Sequence, residues 1–223
     1  MEELLQPPHG GGLGHGPRDR IVDGLATRGY AVEPAYFSPV LVRALRREAL
    51  LRDRQGGFTE AAIGRNEQLQ QNERIRRDRT CWLNGSTLAQ VRLLEEMEQL
   101  RQLINSRLFL GLFDLESHFA IYDPGAYYRR HLDAFRGDNP RVVSVVVYLN
   151  ALWTPADGGC LRVWPQPDAV HHDLDVAPRA GSLVCFLSEQ IPHEVLPARH
   201  DRLSIAGWFR RNTSTGVWID PSR

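Results

Sequence analysis

Cysteine is scarce. The chain has three, an odd number with no Cys-x-x-Cys spacing, so neither a disulfide framework nor a zinc knuckle organises it, and a reduced compartment fits best. Excess charge of either sign is absent: 27 Lys plus Arg stand against 27 Asp plus Glu, and nothing global suggests a nucleic-acid or membrane-surface partner. Long apolar runs are missing too, and the N-terminus opens on two acidic residues, so no membrane span or signal peptide is expected and a cytoplasmic location is. Hydrophobic content is ordinary for a soluble globular protein, and 223 residues suit one domain, expected as a monomer, with a substantial core.

Residues 1–17 are rich in Gly and Pro without an apolar period and read as a flexible tail, which leaves 18–223 as a single domain. Its first part, 18–112, reads as helical. Asp19 suits an N-cap for a short helix ending at Gly29, Tyr30–Val32 suits a strand, and Ser38-Pro39 opens a second helix. Ser86 suits the cap of the longest helix, with Leu88, Val91, Leu94, Met97, Leu100, Leu103 and Ile104 as its apolar stripe. Between them, the polar stretch 58–80 is a long excursion and a candidate substrate lid, closed by a short strand at Thr80–Leu83. From 113 to 212 the texture changes to short strand-like segments separated by Gly and Pro, near 117–122, 126–131, 142–150, 160–164, 174–177, 182–187, 193–197 and 202–210. No helix alternates with them. The fold class is therefore α+β, mainly β: a double-stranded β-helix, or jelly roll, with about three helices packed on one sheet.

Chemistry concentrates around His131-Leu132-Asp133. On a strand, His131 and Asp133 share a face and can hold one cation between an imidazole nitrogen and a carboxylate oxygen. A third ligand must come from downstream, where His171, His172, His193 and His200 are available. His171 and His172 sit in a polar stretch and His200 in a turn, whereas His193 follows the apolar strand Gly181–Leu187 and opens another, so it suits a barrel interior. Two imidazoles and one carboxylate leave open coordination positions, the facial arrangement of non-haem Fe(II) oxygenases. Arg202, at the start of the next strand, is suited to catch the remote carboxylate of a metal-bound substrate. Gly158-Gly159 suits a turn, and Cys160 and Cys185 suit buried apolar positions.

The series Tyr122, His131-Leu132-Asp133, Tyr148-Leu149-Asn150, Gly158 to Pro165, Pro192-His193-Glu194-Val195, Arg202 and Trp208 resembles the 2-oxoglutarate-dependent prolyl 4-hydroxylases. It is most similar to the oxygen-sensing prolyl hydroxylase domain group and its bacterial relatives. The resemblance runs from about Gly29 to Arg210, and Ile75 to Gly85 is similar to the segment flanking that group's mobile substrate loop. It implies Fe(II) bound by His131, Asp133 and His193. It also implies 2-oxoglutarate bound by Arg202 and Tyr148 with Tyr122 in the same pocket, O2 as second cosubstrate, and ascorbate in a supporting role. Trp208 and Val146 are candidate pocket walls, and Arg76, Asp78 and Trp82 candidate substrate-loop residues. Ala206 departs from the hydroxyl residue of the animal oxygen sensors. The implied reaction is 4-hydroxylation of a prolyl residue in a protein, coupled to decarboxylation of 2-oxoglutarate to succinate and CO2. The bacterial relatives suggest a translation factor such as elongation factor Tu as partner. Competing readings are the same chemistry on a free amino acid or other small molecule, and a non-catalytic binding module on the same fold.

Overall fold

Backbone groups left unpaired at a helix N-terminus decide where the first helix begins. In a computed structural model that describes residues 16–61, 76–134 and 139–212, α1 spans Pro17–Arg28 with Gly16, not Asp19, as its N-cap. Asp19 lies one turn in, and its carboxylate accepts the Gly16 N–H at 3.0 Å, the role an acidic residue takes in a capping box. Pro17, placed in the expected tail, belongs to the helix, and residues 1–15 of that expectation lie outside the described part. Gly29 closes α1 at φ 78°, a left-handed conformation suited to glycine. After β1 (Tyr30–Glu33), Ser38 accepts the Leu41 N–H and Pro39 opens α2 (Pro39–Arg54), as the sequence predicts.

The excursion 58–80 starts and ends in paired strands, β2 (Thr59–Glu60) against β3 (Arg79–Trp82); the candidate lid residues 62–75 lie outside the described part. Thr87, not Ser86, caps α3 (Leu88–Leu108), and its buried stripe is Gln90, Leu93, Met97, Leu100 and Ile104. Leu88 and Val91, expected inside, are exposed. Met97, Leu100 and Ile104 are buried as expected, and the stripe departs only in the first turns, where a polar residue holds a core position. Gln90 accepts the N–H groups of Asn84 and Gly85 at 3.0 and 2.8 Å and donates to Glu48, so its amide is satisfied on both sides. An apolar count cannot register that.

All eight expected strands of the second half form: β4 (Leu112–Tyr122), β5 (Tyr128–His131), β6 (Arg141–Tyr148), β7 (Leu161–Val163), β8 (Leu174–Val176), β9 (Leu183–Leu187), β10 (His193–Val195) and β11 (Arg202–Arg211). β4 is longer than expected, starting at Leu112. Two antiparallel sheets result, seven strands in the order β1-β9-β6-β11-β4-β3-β2 and four in the order β5-β10-β7-β8. Side-chain alternation divides the large sheet into two faces. Phe119, Ile121, Val143, Val145, Val147, Leu203 and Ile205 pack against the helices through Leu45, Met97, Leu100 and Ile104. The opposite parity, Ala120, Tyr122, Val146, Tyr148 and Val184, turns toward Leu161, Val163 and Val195 of the small sheet. Each fully buried large apolar side chain contributes about 1.5–3 kcal/mol, so the helix-facing layer carries much of the stability and the inter-sheet layer is left open for a site.

Candidate active site

A pocket lies between the sheets. Its wall takes Arg202, Ser204, Ala206 and Trp208 from β11, alternate residues that the pleat directs to one side, and His118, Ala120 and Tyr122 from β4 beside them.

His131 ends β5 and His193 opens β10, and the antiparallel register sets them opposite each other, ring centroids 4.2 Å apart. Asp133 does not share a strand with His131, as the alternation argument expects: β5 stops at His131 and Asp133 sits in the bend that follows. The bend still delivers its carboxylate, whose Oδ1 lies 3.4 Å from His131 Nε2 and 3.7 Å from His193 Nε2. The other oxygen, Oδ2, accepts the Ser144 hydroxyl at 2.6 Å. Both imidazoles have Nδ1 against a backbone carbonyl, Arg129 at 2.7 Å and Ile191 at 3.2 Å, which fixes Nδ1 as the protonated nitrogen and aims each Nε2 lone pair at the carboxylate.

Three acceptor atoms therefore converge within 4.8 Å with no donor between them, and His131 Nε2 is buried without a hydrogen bond. Such a set repels itself unless a cation joins it. Its ionisation suits one. Burial would raise the Asp133 pKa, but His193, then His131 and the Ser144 hydroxyl, hold it well below the usual carboxylate range. Burial, with His131, lowers His193 to about 4, so its lone pair is free at neutral pH. Tyr128 stacks on His131 at 3.5 Å and Phe186 packs on His193 at 4.4 Å, which restrains both rings.

At the other end Arg202, 1% exposed, donates from Nε to the Gly159 carbonyl at 2.8 Å and leaves Nη2 with no partner. The Tyr148 hydroxyl, fully buried, has none either, and burial raises its pKa to about 12, so it remains a donor. The guanidinium carbon lies 5.1 Å from the ring centres of both Tyr148 and Tyr122. A buried guanidinium without a carboxylate asks for an anion that enters from outside. Gly159, at φ 68°, permits the geometry: a Cβ there would meet Ala198 Cβ at 2.9 Å and Arg202 Cδ at 3.3 Å.

The pocket thus brings together His131, Asp133, His193, Arg202 and Tyr122, with Val146 and Trp208 in its wall, and Tyr148 is buried behind it beside Arg202. Arg76 and Asp78 line it too, as a buried pair at 2.5 and 2.9 Å with Arg76 over the Tyr128 ring at 4.9 Å. Trp82 does not line it; the ring is 48% exposed and meets His118 edge-on at 5.0 Å. Sequence reasoning missed Tyr128 and His118. His118 has the strand parity of Tyr122, a signal within reach, but the search for ligands ran downstream of His131.

His118 is 2% exposed, and burial, then Arg76 and Arg141, lowers its pKa to about 3. His118 and His193 therefore take up protons less readily folded than unfolded. Their stabilising contribution is complete above the unfolded value near 6.5 and is lost as pH falls toward 4 and then 3. The melting temperature of metal-free protein should fall between pH 7 and pH 4, and less steeply in His118→Leu. A flat or rising profile in the wild type would contradict these environments.

Residues 117–210 match the 2OG-Fe(II) oxygenase superfamily. The chain is 34% identical over 145 residues to the hypoxia-inducible factor prolyl hydroxylase of Caenorhabditis elegans, covering 60% of this chain and 20% of that protein, so it spans about a fifth of that curated relative. Its structure is similar to a crystal structure of a Pseudomonas putida prolyl-4-hydroxylase, with TM-score 0.77 and 47% identity over 87% of this chain and 98% of the other. It is also similar to a Trichoplax adhaerens prolyl hydroxylase in complex with a hypoxia inducible factor oxygen degradation domain peptide fragment, with TM-score 0.77 and 26% identity over 86% of this chain and 88% of the other.

Proposed function

The chain belongs to the 2OG-Fe(II) oxygenase superfamily, and we propose that it hydroxylates the 4-position of a prolyl residue in a protein substrate while decarboxylating 2-oxoglutarate to succinate and CO2. The observation that carries this reading is one pocket with an acceptor-only cluster in it and an unpaired buried guanidinium and phenol beside it. A divalent metal would satisfy the first, and the far carboxylate of a dicarboxylic keto acid held on that metal would satisfy the second. His131, Asp133 and His193 would hold Fe(II), Arg202 and Tyr148 the far carboxylate of 2-oxoglutarate, with Tyr122 beside them.

When bound, these groups supply the oxygen chemistry: one atom of O2 enters the substrate hydroxyl and the other the new carboxylate of succinate. The chain contributes position. Arg202 and Tyr148 donate hydrogen bonds that fix the keto acid's reach, the carbonyls behind each Nδ1 keep both imidazoles in the ligating tautomer, and the Ser144 hydroxyl turns Asp133 toward them. Val146, Leu161 and Val195 keep water from the space between.

A protein substrate is supported by the relatives named as prolyl hydroxylases, one of them in complex with a peptide fragment. A translation factor such as elongation factor Tu, suggested by resemblance to bacterial relatives, is the partner to test first, and the cytoplasm is the proposed location. Among the described residues no helix is long and apolar enough to cross a membrane. The test is to incubate the protein with Fe(II), 2-oxoglutarate and a bacterial extract, with purified elongation factor Tu in a parallel arm. Mass spectrometry should find the gain of one oxygen atom on a proline. Steady turnover of 2-oxoglutarate with a small molecule and no oxidised proline in either arm would overturn the reading.

A further inference from the structure

Three buried hydrogen-bonding nitrogens in the pocket belong to neither the metal cluster nor the Arg202 end: both ring nitrogens of His118 and Nε1 of Trp208. The two side chains are 2% and 6% exposed, with ring centres 5.4 Å apart. A buried donor or acceptor left unmade is costly, so three in one place mark a position that something else completes. Trp208 is held for that purpose: Arg141 lies over its ring at 3.5 Å and is itself fixed by a 2.7 Å bond to buried Glu116.

The chemistry of the missing partner can be narrowed. Neutral His118 offers one donor and one acceptor, and Trp208 adds a donor. A cation finds a single acceptor here and the nearby charges of Arg76 and Arg141. A carboxylate finds an acceptor nitrogen facing it and Asp133 close by, and it has a better seat at Arg202. That residue is four positions along β11 from Ala206, the partner of His118 across the strands, or roughly 14 Å at about 3.4 Å per residue. An uncharged group that both gives and accepts hydrogen bonds fits. Trp208 lies beside His118 in the pocket wall, a surface suited to a flat group bearing a saturated ring.

We propose that His118 and Trp208 form a subsite for the main-chain peptide group next to the target residue, and that His118 is a specificity-determining residue for a peptide substrate. This rests on the reading of the pocket given above.

The test uses the full chain loaded with Zn(II) and 2-oxoglutarate, which binds without turnover, and N-acetylproline N-methylamide as probe. Nitrogen-15 NMR should show the His118 ring and Trp208 indole resonances moving saturably with the probe. His118→Leu should weaken the probe about tenfold, the loss of one hydrogen bond that leaves its partner unmade, and His118→Gln, which keeps a donor and an acceptor, should stay within about threefold. Affinity for 2-oxoglutarate in the same samples should change less than about twofold in both variants. Probe binding that leaves both resonances still, equal affinity in wild type and His118→Leu, or no saturable binding would each overturn the subsite and leave it to water. Should His118→Leu fail to fold, the wild-type resonances and the glutamine variant decide. Moving resonances with no proline oxidation in any extract would remove the hydroxylase reading and keep the subsite; proline oxidation with still resonances would do the reverse.

Discussion

Asp133→Ala should lower 2-oxoglutarate turnover by more than about a hundredfold, and His131→Ala should do the same, while each variant keeps the wild-type circular dichroism spectrum. Losing a residue that merely orients a metal ligand costs about 10–100-fold, so losing a ligand should reach or pass the upper end of that range. The fold should survive because the layer that stabilises it, Phe119, Val143 and Leu203 against the helices, faces away from the cluster. Removing Asp133 also frees the Ser144 hydroxyl, which still has Ser188 at 2.8 Å as a partner, so no new buried group is left bare. Near-wild-type decarboxylation in either variant would move the metal centre elsewhere.

Arg202→Ala should raise the 2-oxoglutarate requirement by on the order of tenfold to several hundredfold, since each charge-assisted bond is worth about 1.5–3 kcal/mol. Fe(II) affinity without the keto acid should change little, because Arg202 makes its bonds to Gly159 and Ser204 and none to the cluster. Arg202→Lys should recover only part, since an ammonium keeps the charge and loses the planar fork. Pyruvate, with no second carboxylate, should not replace 2-oxoglutarate in the wild type. Equal loss of iron and keto acid, or unchanged binding of 2-oxoglutarate, would deny Arg202 the role of anchor.

Strand existence was legible because 117–122, 142–150 and 202–210 are short, strand-forming segments separated by Gly and Pro, near-continuously apolar where the sheet is buried on both faces, and shared strand parity carried Arg202 and Trp208 to the pocket side. His193 was legible as the histidine that opens a strand after an apolar one; His172 and His200 proved to be surface partners of Asp175 and Asp157. What escaped depends on hydrogen bonds that composition does not encode. Gln90 took a core position by satisfying its amide, Gly16 capped α1 with the help of Asp19, and Asp133 reached the cluster from a bend. His118 escaped for a different reason: its strand parity with Tyr122 pointed to the pocket side, but candidates were sought only downstream of His131.

The most direct measurement counts products. With Fe(II), O2 and the oxidised partner protein identified, succinate and 4-hydroxyproline should form one for one, and dissolved oxygen-18 should label the hydroxyproline. Succinate formed at an equal rate with and without that partner, or hydroxyproline formed without succinate, would contradict the account.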